Sequence, residues 1–178
     1  MRVDMEKKVD TSIQFSGLAT GVYEYDYRLD GTFFSQFEND DLRDCEVDYR
    51  VKLERKERLL VFDFSFSGLV RVECDRCLKM MEVPVCGGQT LYVKFGEAKE
   101  SDDENVLFLP EGESKIDLAQ WLYEFVAIEV PIVHSHPDDE NGNPTCDPEM
   151  LKYISEGDEA EKQDTDPRWD ALKALKDE

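Results

Sequence analysis

Histidine is nearly absent from this chain, with two in 178 residues. General acid–base catalysis draws on histidine more than on any other side chain. No Ser-His-Asp set, nucleophile elbow or phosphate-cradling glycine loop is spelled out either, so hydrolytic and phosphoryl-transfer chemistry have little to build on. Long apolar runs are missing as well: none approaches the about 20 residues that a membrane-spanning helix needs. The opening Met1-Arg2-Val3-Asp4-Met5-Glu6-Lys7-Lys8 lacks the apolar core and small-residue cleavage site of a signal peptide. A soluble, cytoplasmic protein with no membrane partner is expected. Positive charge is also short, 21 Lys and Arg against 42 Asp and Glu, for a net charge of -21 and a pI near 4.4. Such a surface repels phosphate backbones and attracts basic partners, which disfavours direct nucleic-acid binding. One local exception is Arg50, Lys52, Arg55, Lys56 and Arg58. That cluster is either an RNA contact or the solvated tip of a hairpin.

What is present suffices for one folded domain: 40% hydrophobic residues, ten Phe and seven Tyr. From about Ser12 to Phe95 the pattern has period two, as in Tyr23, Tyr25, Tyr27, then Val47, Tyr49, Val51, Leu53, then Leu60, Phe62, Phe64, Phe66, and Leu91, Val93, Phe95. These predict strands. Gly68 predicts a bend or turn before Val70, Val72 and Cys74, and Val106 to Leu109 a further short strand. After this the period changes. Asp117 with Gln120 has capping-box spacing, Ile116 with Trp121 the hydrophobic staple, and Ala119, Leu122, Tyr123, Val126 and Val130 make one helical face that Pro131 ends. The expected fold class is α+β, an antiparallel β meander with a packed helix, occupying residues 1–136 as a single domain. Residues 137–165, crowded with acids, predict an acidic linker or loosely held segment. Asp166-Pro167 then opens a short helix over 166–178, with Trp169, Leu172 and Leu175 as apolar anchors for docking on a partner or on the domain itself.

Cysteine carries the sharpest signal. Five is an odd number, and in a reducing compartment Cys74-Asp75-Arg76-Cys77 points to metal or redox chemistry before a disulfide. Two-residue spacing directs both sulfurs at one ion, and His136 and Cys146 can complete a zinc tetrahedron. His134 is the alternative to His136. Cys86 is close enough in sequence to substitute as a ligand, and Cys45 is expected to be a small buried hydrophobe. A zinc staple is favoured over unmetallated thiols and over a thiol redox protein, because the C-x2-C pair follows Val70-Arg71-Val72 with no helix N-terminus to lower a thiol pKa. Two thiolates plus His and Cys would close the coordination shell and leave no catalytic position.

Three stretches together resemble the YceD-like family of large ribosomal RNA subunit accumulation proteins. They are Val72-Glu73-Cys74-Asp75-Arg76-Cys77-Leu78, then Ile116-Asp117-Leu118 through Val130-Pro131-Ile132-Val133-His134-Ser135-His136 to Cys146, and Asp166-Pro167-Arg168-Trp169 through Leu172 to Lys176. The resemblance implies a bacterial, noncatalytic ribosome biogenesis factor that supports accumulation of the large-subunit (23S) ribosomal RNA. It also implies a neighbouring gene for a small, basic large-subunit ribosomal protein, making that protein or a preribosomal particle the expected partner. The family's cysteine pair falls on Cys74 and Cys77, its histidine on His136 and its last cysteine on Cys146. Direct RNA binding through the basic stretch is the competing expectation.

Overall fold

The computed structural model describes residues 9–96 and 105–161. Seven strands form: β1 Ser12–Gln14, β2 Gly21–Asp30, β3 Cys45–Arg55, β4 Leu59–Glu73, β5 Met80–Phe95, β6 Val106–Leu109 and β7 Lys115–Asp117. Three α-helices accompany them, α1 Gly31–Phe34, α2 Ala119–Ala127 and α3 Pro148–Glu161. Strands β2 to β6 make one five-stranded sheet in sequence order, and β1 pairs with β7 apart from it. By contacts the chain divides into two units. One runs through Val72 and resumes over Glu82–Ile132; the other consists of Glu73–Met81 and the chain from Val133 on.

The alternation of β3 explains the first unit. Cys45, Val47, Tyr49, Val51 and Leu53 are buried while the charged residues between them face solvent, so one face of the sheet becomes core. β2 and β4 pair antiparallel to β3. Along β4 and β5 the contacts run in opposite chain directions, Arg71 beside Glu82 and Asp63 beside Thr90, which makes this pair antiparallel too. β6 instead lies parallel to β5, Tyr92 opposite Val106 and Phe95 opposite Leu109. The meander is thus mixed at one edge, because periodicity reports which face a residue takes and not strand direction.

Helix α2 covers the apolar face. Leu122, Phe125 and Val126 are buried, the Tyr49 hydroxyl donates to the Leu122 carbonyl at 2.7 Å, and the Phe64 and Phe125 rings meet edge to face with centroids 5.0 Å apart. The helix is shorter than the expected span from Asp117 to Val130. Asp117 accepts from the Ala119 N–H at 3.0 Å and from the Thr11 hydroxyl at 2.6 Å, while Gln120 donates to Glu124 at 2.6 Å instead of reaching back to close a capping box. Asp117 thereby fixes both the helix start and the β1–β7 pair.

Gly68 departs from expectation. Strand β4 runs unbroken through it, with Gly68 opposite Val47 of β3. A Cβ at this position would lie 2.2 Å from the Glu46 carbonyl oxygen and 2.7 Å from the Val47 Cα. Glycine serves here for close backbone approach, not for a turn. Among the described residues no helix is long and apolar enough to cross a membrane. The expected helix over 166–178, with Trp169, Leu172 and Leu175, lies outside the described residues.

Three substitutions test this packing. Gly68→Ala should destabilise by about 1–3 kcal/mol, since backbone atoms cannot step aside as side chains do, whereas Gly17→Ala, with no atom within 4 Å of its Cβ, should be near neutral. Leu122→Ala should remove about 2–5 kcal/mol, as truncations of buried leucines do. Urea unfolding of the three variants measures all of these; a Gly68→Ala midpoint equal to wild type would refute the close approach.

Candidate metal centre

The centre is assembled within the second unit from a knuckle, a short extended segment and a loop. At the knuckle the Cys74 N–H donates to the Lys79 carbonyl at 2.9 Å and the Leu78 N–H to the Cys74 carbonyl at 2.8 Å. This folds Cys74 and Cys77 to one side and forces Leu78 into a left-handed backbone, φ 58°. Asp75 then clasps the second segment. Its N–H donates to the His134 carbonyl at 2.7 Å, and its carboxylate accepts the His134 N–H at 2.6 Å. Anchoring the His134 backbone in this way delivers His136, two residues on, to the sulfurs.

The stretch from Pro137 to Cys146 folds back on itself. The Asp139 carboxylate accepts the N–H groups of Asn141 and Asn143, each at 2.8 Å, the Asp139 N–H donates to the Asn143 carbonyl at 2.7 Å, and Gly142 takes the left-handed turn position, φ 80°. The Thr145 hydroxyl donates to the Pro137 carbonyl at 2.6 Å and closes the loop. Its ends meet, so Cys146 returns to His136 despite the nine intervening residues. Asp147 next caps α3 by accepting the Glu149 N–H at 2.9 Å, with Pro148 at the first helical position. Its other oxygen holds Lys79 of the knuckle at 2.8 Å. Within the stretch expected to be an acidic linker, the structure therefore places a closed loop and a helix. Asp147-Pro148 carries the same helix-start signal as Asp166-Pro167, and Met150, Leu151 and Ile154 follow it at helical spacing, a pattern outweighed by the acids around it.

Cys74, Cys77, His136 and Cys146 come together, with their four ligand atoms all within 4.8 Å of one another. The three sulfurs belong to buried residues and carry no disulfide. Cys74 Sγ lies 3.7 Å from Cys146 Sγ, Cys77 Sγ 3.5 Å from His136 Nδ1, and Cys146 Sγ 3.8 Å from the same nitrogen. A zinc tetrahedron with Zn–S of about 2.3 Å and Zn–N of about 2.0–2.1 Å has edges of about 3.8 Å between sulfurs and about 3.6 Å between sulfur and nitrogen. The donor set fits the ion. Nδ1, not Nε2, is the nitrogen offered.

Electrostatics agree with the geometry. Burial pushes the Cys74 thiol up, but the N–H groups of Cys77, His136 and Arg76 and the His136 ring outweigh it and bring its pKa down to about 6. Cys146 moves the other way, raised by burial and by the neighbouring sulfurs of Cys74 and Cys77. Crowded, buried sulfurs of this kind call for a cation to balance them. Met81, Met150 and Leu151 pack against the cysteines and shut out water. The centre can hold a metal ion.

The alternatives fall away. His134 is buried with its Nε2 unpartnered, and only its main chain serves the centre. Cys86 is exposed on β5, and Cys45 is buried, its thiol donating to the Leu42 carbonyl at 3.1 Å; neither joins the cluster. In the other unit four residues of the basic stretch lie against the chain's own groups. Arg50 pairs with Asp26 at 3.1 Å and Lys56 with Glu54 at 3.2 Å, Lys52 stands between Glu24 and Asp63 in the ladder, and Arg55 donates to the Phe15 and Leu18 carbonyls.

Residues 62–176 match the family model described as large ribosomal RNA subunit accumulation protein YceD. No curated protein and no solved structure matches the chain.

The assignment of ligands predicts that Cys77→Ser and His136→Ala abolish metal binding, while His134→Ala retains it. Asp75→Ala should weaken affinity by about 10–100-fold, as loss of an orienting outer partner does, and Asp75→Asn, which keeps an accepting oxygen, should restore most of it. Competition titration with a chromophoric chelator reads these directly; metal lost on His134→Ala but kept on His136→Ala would reverse the histidine assignment.

Proposed function

The chain belongs to the YceD family, and from that premise we propose that it is a noncatalytic, cytoplasmic ribosome biogenesis factor supporting accumulation of large-subunit ribosomal RNA. Its Cys74, Cys77, His136 and Cys146 hold a structural zinc ion, and its acidic surface receives a basic large-subunit ribosomal protein or a precursor particle carrying one. The observation that carries the noncatalytic part is the donor set itself. Three thiols and one imidazole lie within 4.8 Å of one another; around a bound zinc they would fill a tetrahedron and leave no position for water or substrate. Bound zinc would supply cohesion to a unit whose described residues have little other core. Such a site does not exist in the unfolded chain, so metal affinity would be folding free energy there, and it would rise with pH as the thiols lose their protons.

Charge supports a protein partner over naked RNA. The net charge is -21, and the basic hairpin is engaged by Asp26, Glu54 and the facing acids of the ladder. Cross-strand pairs such as Glu24 with Lys52 or Arg28 with Asp48 stabilise the sheet by about 0.2–1 kcal/mol each. They leave little positive potential facing outward. The terminal residues Trp169, Leu172 and Leu175 are proposed as an additional partner contact, following the family match through residue 176.

Three outcomes are expected. Purified protein should carry about one zinc per chain, measured by plasma emission on material never exposed to chelator. Association with large-subunit precursors should fall steeply with salt while free 23S RNA binds poorly; tight RNA binding lost on neutralising Arg50, Lys52, Arg55, Lys56 and Arg58 would overturn the protein-partner proposal. Deleting residues 166–178 should leave the melting temperature unchanged and abolish co-sedimentation with those precursors, whereas an unfolded or aggregated product would make the segment structural.

A further inference from the structure

Exposed apolar side chains are concentrated where the metal centre is. Of the ten large hydrophobic residues that face solvent among the described ones, Leu78, Met80, Val133, Tyr153 and Ile154 belong to the second unit, although its residues with described side chains, 73–81 and 133–154, are a small part of the chain. Leu78 is the most telling. It is 62% exposed and sits in the left-handed region at φ 58°. The knuckle requires that conformation, since the Leu78 N–H must reach the Cys74 carbonyl. It does not require leucine. Glycine adopts this backbone freely and asparagine tolerates it, whereas other side chains pay about 1–2 kcal/mol. A strained backbone displaying an unburied leucine stabilises nothing in the described structure, and strain of this kind gathers at binding sites.

Met80 follows on the same knuckle at 55% exposure, and the Lys79–Asp147 ion pair between them ties the knuckle to the start of α3. Tyr153 and Ile154 are solvent-facing further along that helix while Met150 and Leu151 pack on the cysteines. The surroundings are acidic: over residues 73–81 and 133–154, Asp and Glu outnumber Lys and Arg seven to three. This selects the occupant. A second copy of a chain with net charge -21 would be repelled, as would RNA, while a cationic polypeptide is attracted.

We propose that the metal-held knuckle is a docking surface for a basic polypeptide segment bearing apolar side chains, with Leu78 and Met80 as its apolar anchors and the surrounding carboxylates meeting lysine and arginine. This rests on the protein-partner proposal above and names the surface that would serve it. Zinc ligation would then have a second consequence, holding Leu78 rigid and outward before the partner arrives, which lowers the entropy lost on binding.

Full-length, zinc-loaded protein is titrated by fluorescence anisotropy with a labelled mixed lysine–leucine peptide and with an oligolysine of equal charge, at about 0.15 M salt. The mixed peptide should bind at least about tenfold more tightly. Leu78→Gly should erase that preference while zinc content and melting temperature stay the same or rise, a combination that a merely structural leucine would not give. Leu78→Asn and Met80→Ala provide independent variants should the glycine perturb folding. Equal affinity for the two peptides, or a preference untouched in all three variants, would overturn the proposal. So would concentration-dependent dimerisation abolished by Leu78→Gly, which assigns the patch to a second copy, or 23S RNA binding abolished by it. Failure of the underlying partner proposal reads differently: wild-type protein would then not co-sediment with large-subunit precursors, whatever the peptides do.

Discussion

Three buried sulfurs and an imidazole held within 4.8 Å of one another are the constraint on which the second unit depends. Among the described residues, its other buried ones are few. Met81, Met150 and Leu151 are only partly buried, and they pack on the cysteines themselves. An apolar core that small recovers little free energy against the conformational entropy of ordering its chain. The ligands instead join elements far apart in sequence, a knuckle at 74–79, an extended pair at 134–136 and a loop end at 146. A bound ion would close all of these at once. The charge-assisted bonds of Asp75 to the His134 N–H and of Lys79 to Asp147 prearrange the segments, so less order has to be imposed when the metal binds.

The first unit is stabilised in the ordinary way, and the contrast is instructive. Its sheet buries one face under α2, and its polar face is a lattice of opposite charges, Asp26 with Arg50, Arg28 with Asp48, Arg71 with both Asp44 and Glu82. Each exposed pair is worth little alone. Their larger effect is on the field: several of the cations of a very acidic chain are placed against its own carboxylates, leaving an excess of negative charge.

How much of this was legible in the sequence follows from what each signal encodes. Period-two alternation is a direct imprint of a half-buried sheet, so Val47, Tyr49, Val51 and Leu53 announced β3, and C-x2-C announced the knuckle. Gly68 did not announce its role, because glycine is equally the residue of turns and of close backbone approach, and only the partner strand decides which. The direction of β6 is invisible to periodicity. His134 and His136 sit two apart and are indistinguishable as ligands by spacing; the structure places His136, not His134, beside the three sulfurs, with Asp75 holding the His134 main chain on both sides. The return of Cys146 was expected from the donor count, but the means of the return was not legible. Its loop is closed by the Asp139 carboxylate and the Thr145 hydroxyl, bonds that a count of acidic residues registers only as charge.

The crowd of carboxylates after Pro137 has the composition of a solvated linker, yet Asp139 caps a turn and Asp147 both caps a helix and holds Lys79. Hydrogen bonds hold both carboxylates below the usual range, led by the Asn143 N–H for Asp139 and by Lys79 for Asp147. These acids have local structural work as well as surface charge. The same region can therefore present a negative field to a cationic partner and still keep a defined shape, because a carboxylate engaged by one backbone N–H retains its charge and further lone pairs. A disordered acidic tail would offer the field alone. A folded one also offers fixed positions for apolar side chains, and it is that combination, charge to gather a basic chain and rigid leucine and methionine to grip it, that distinguishes a selective surface from a merely adhesive one.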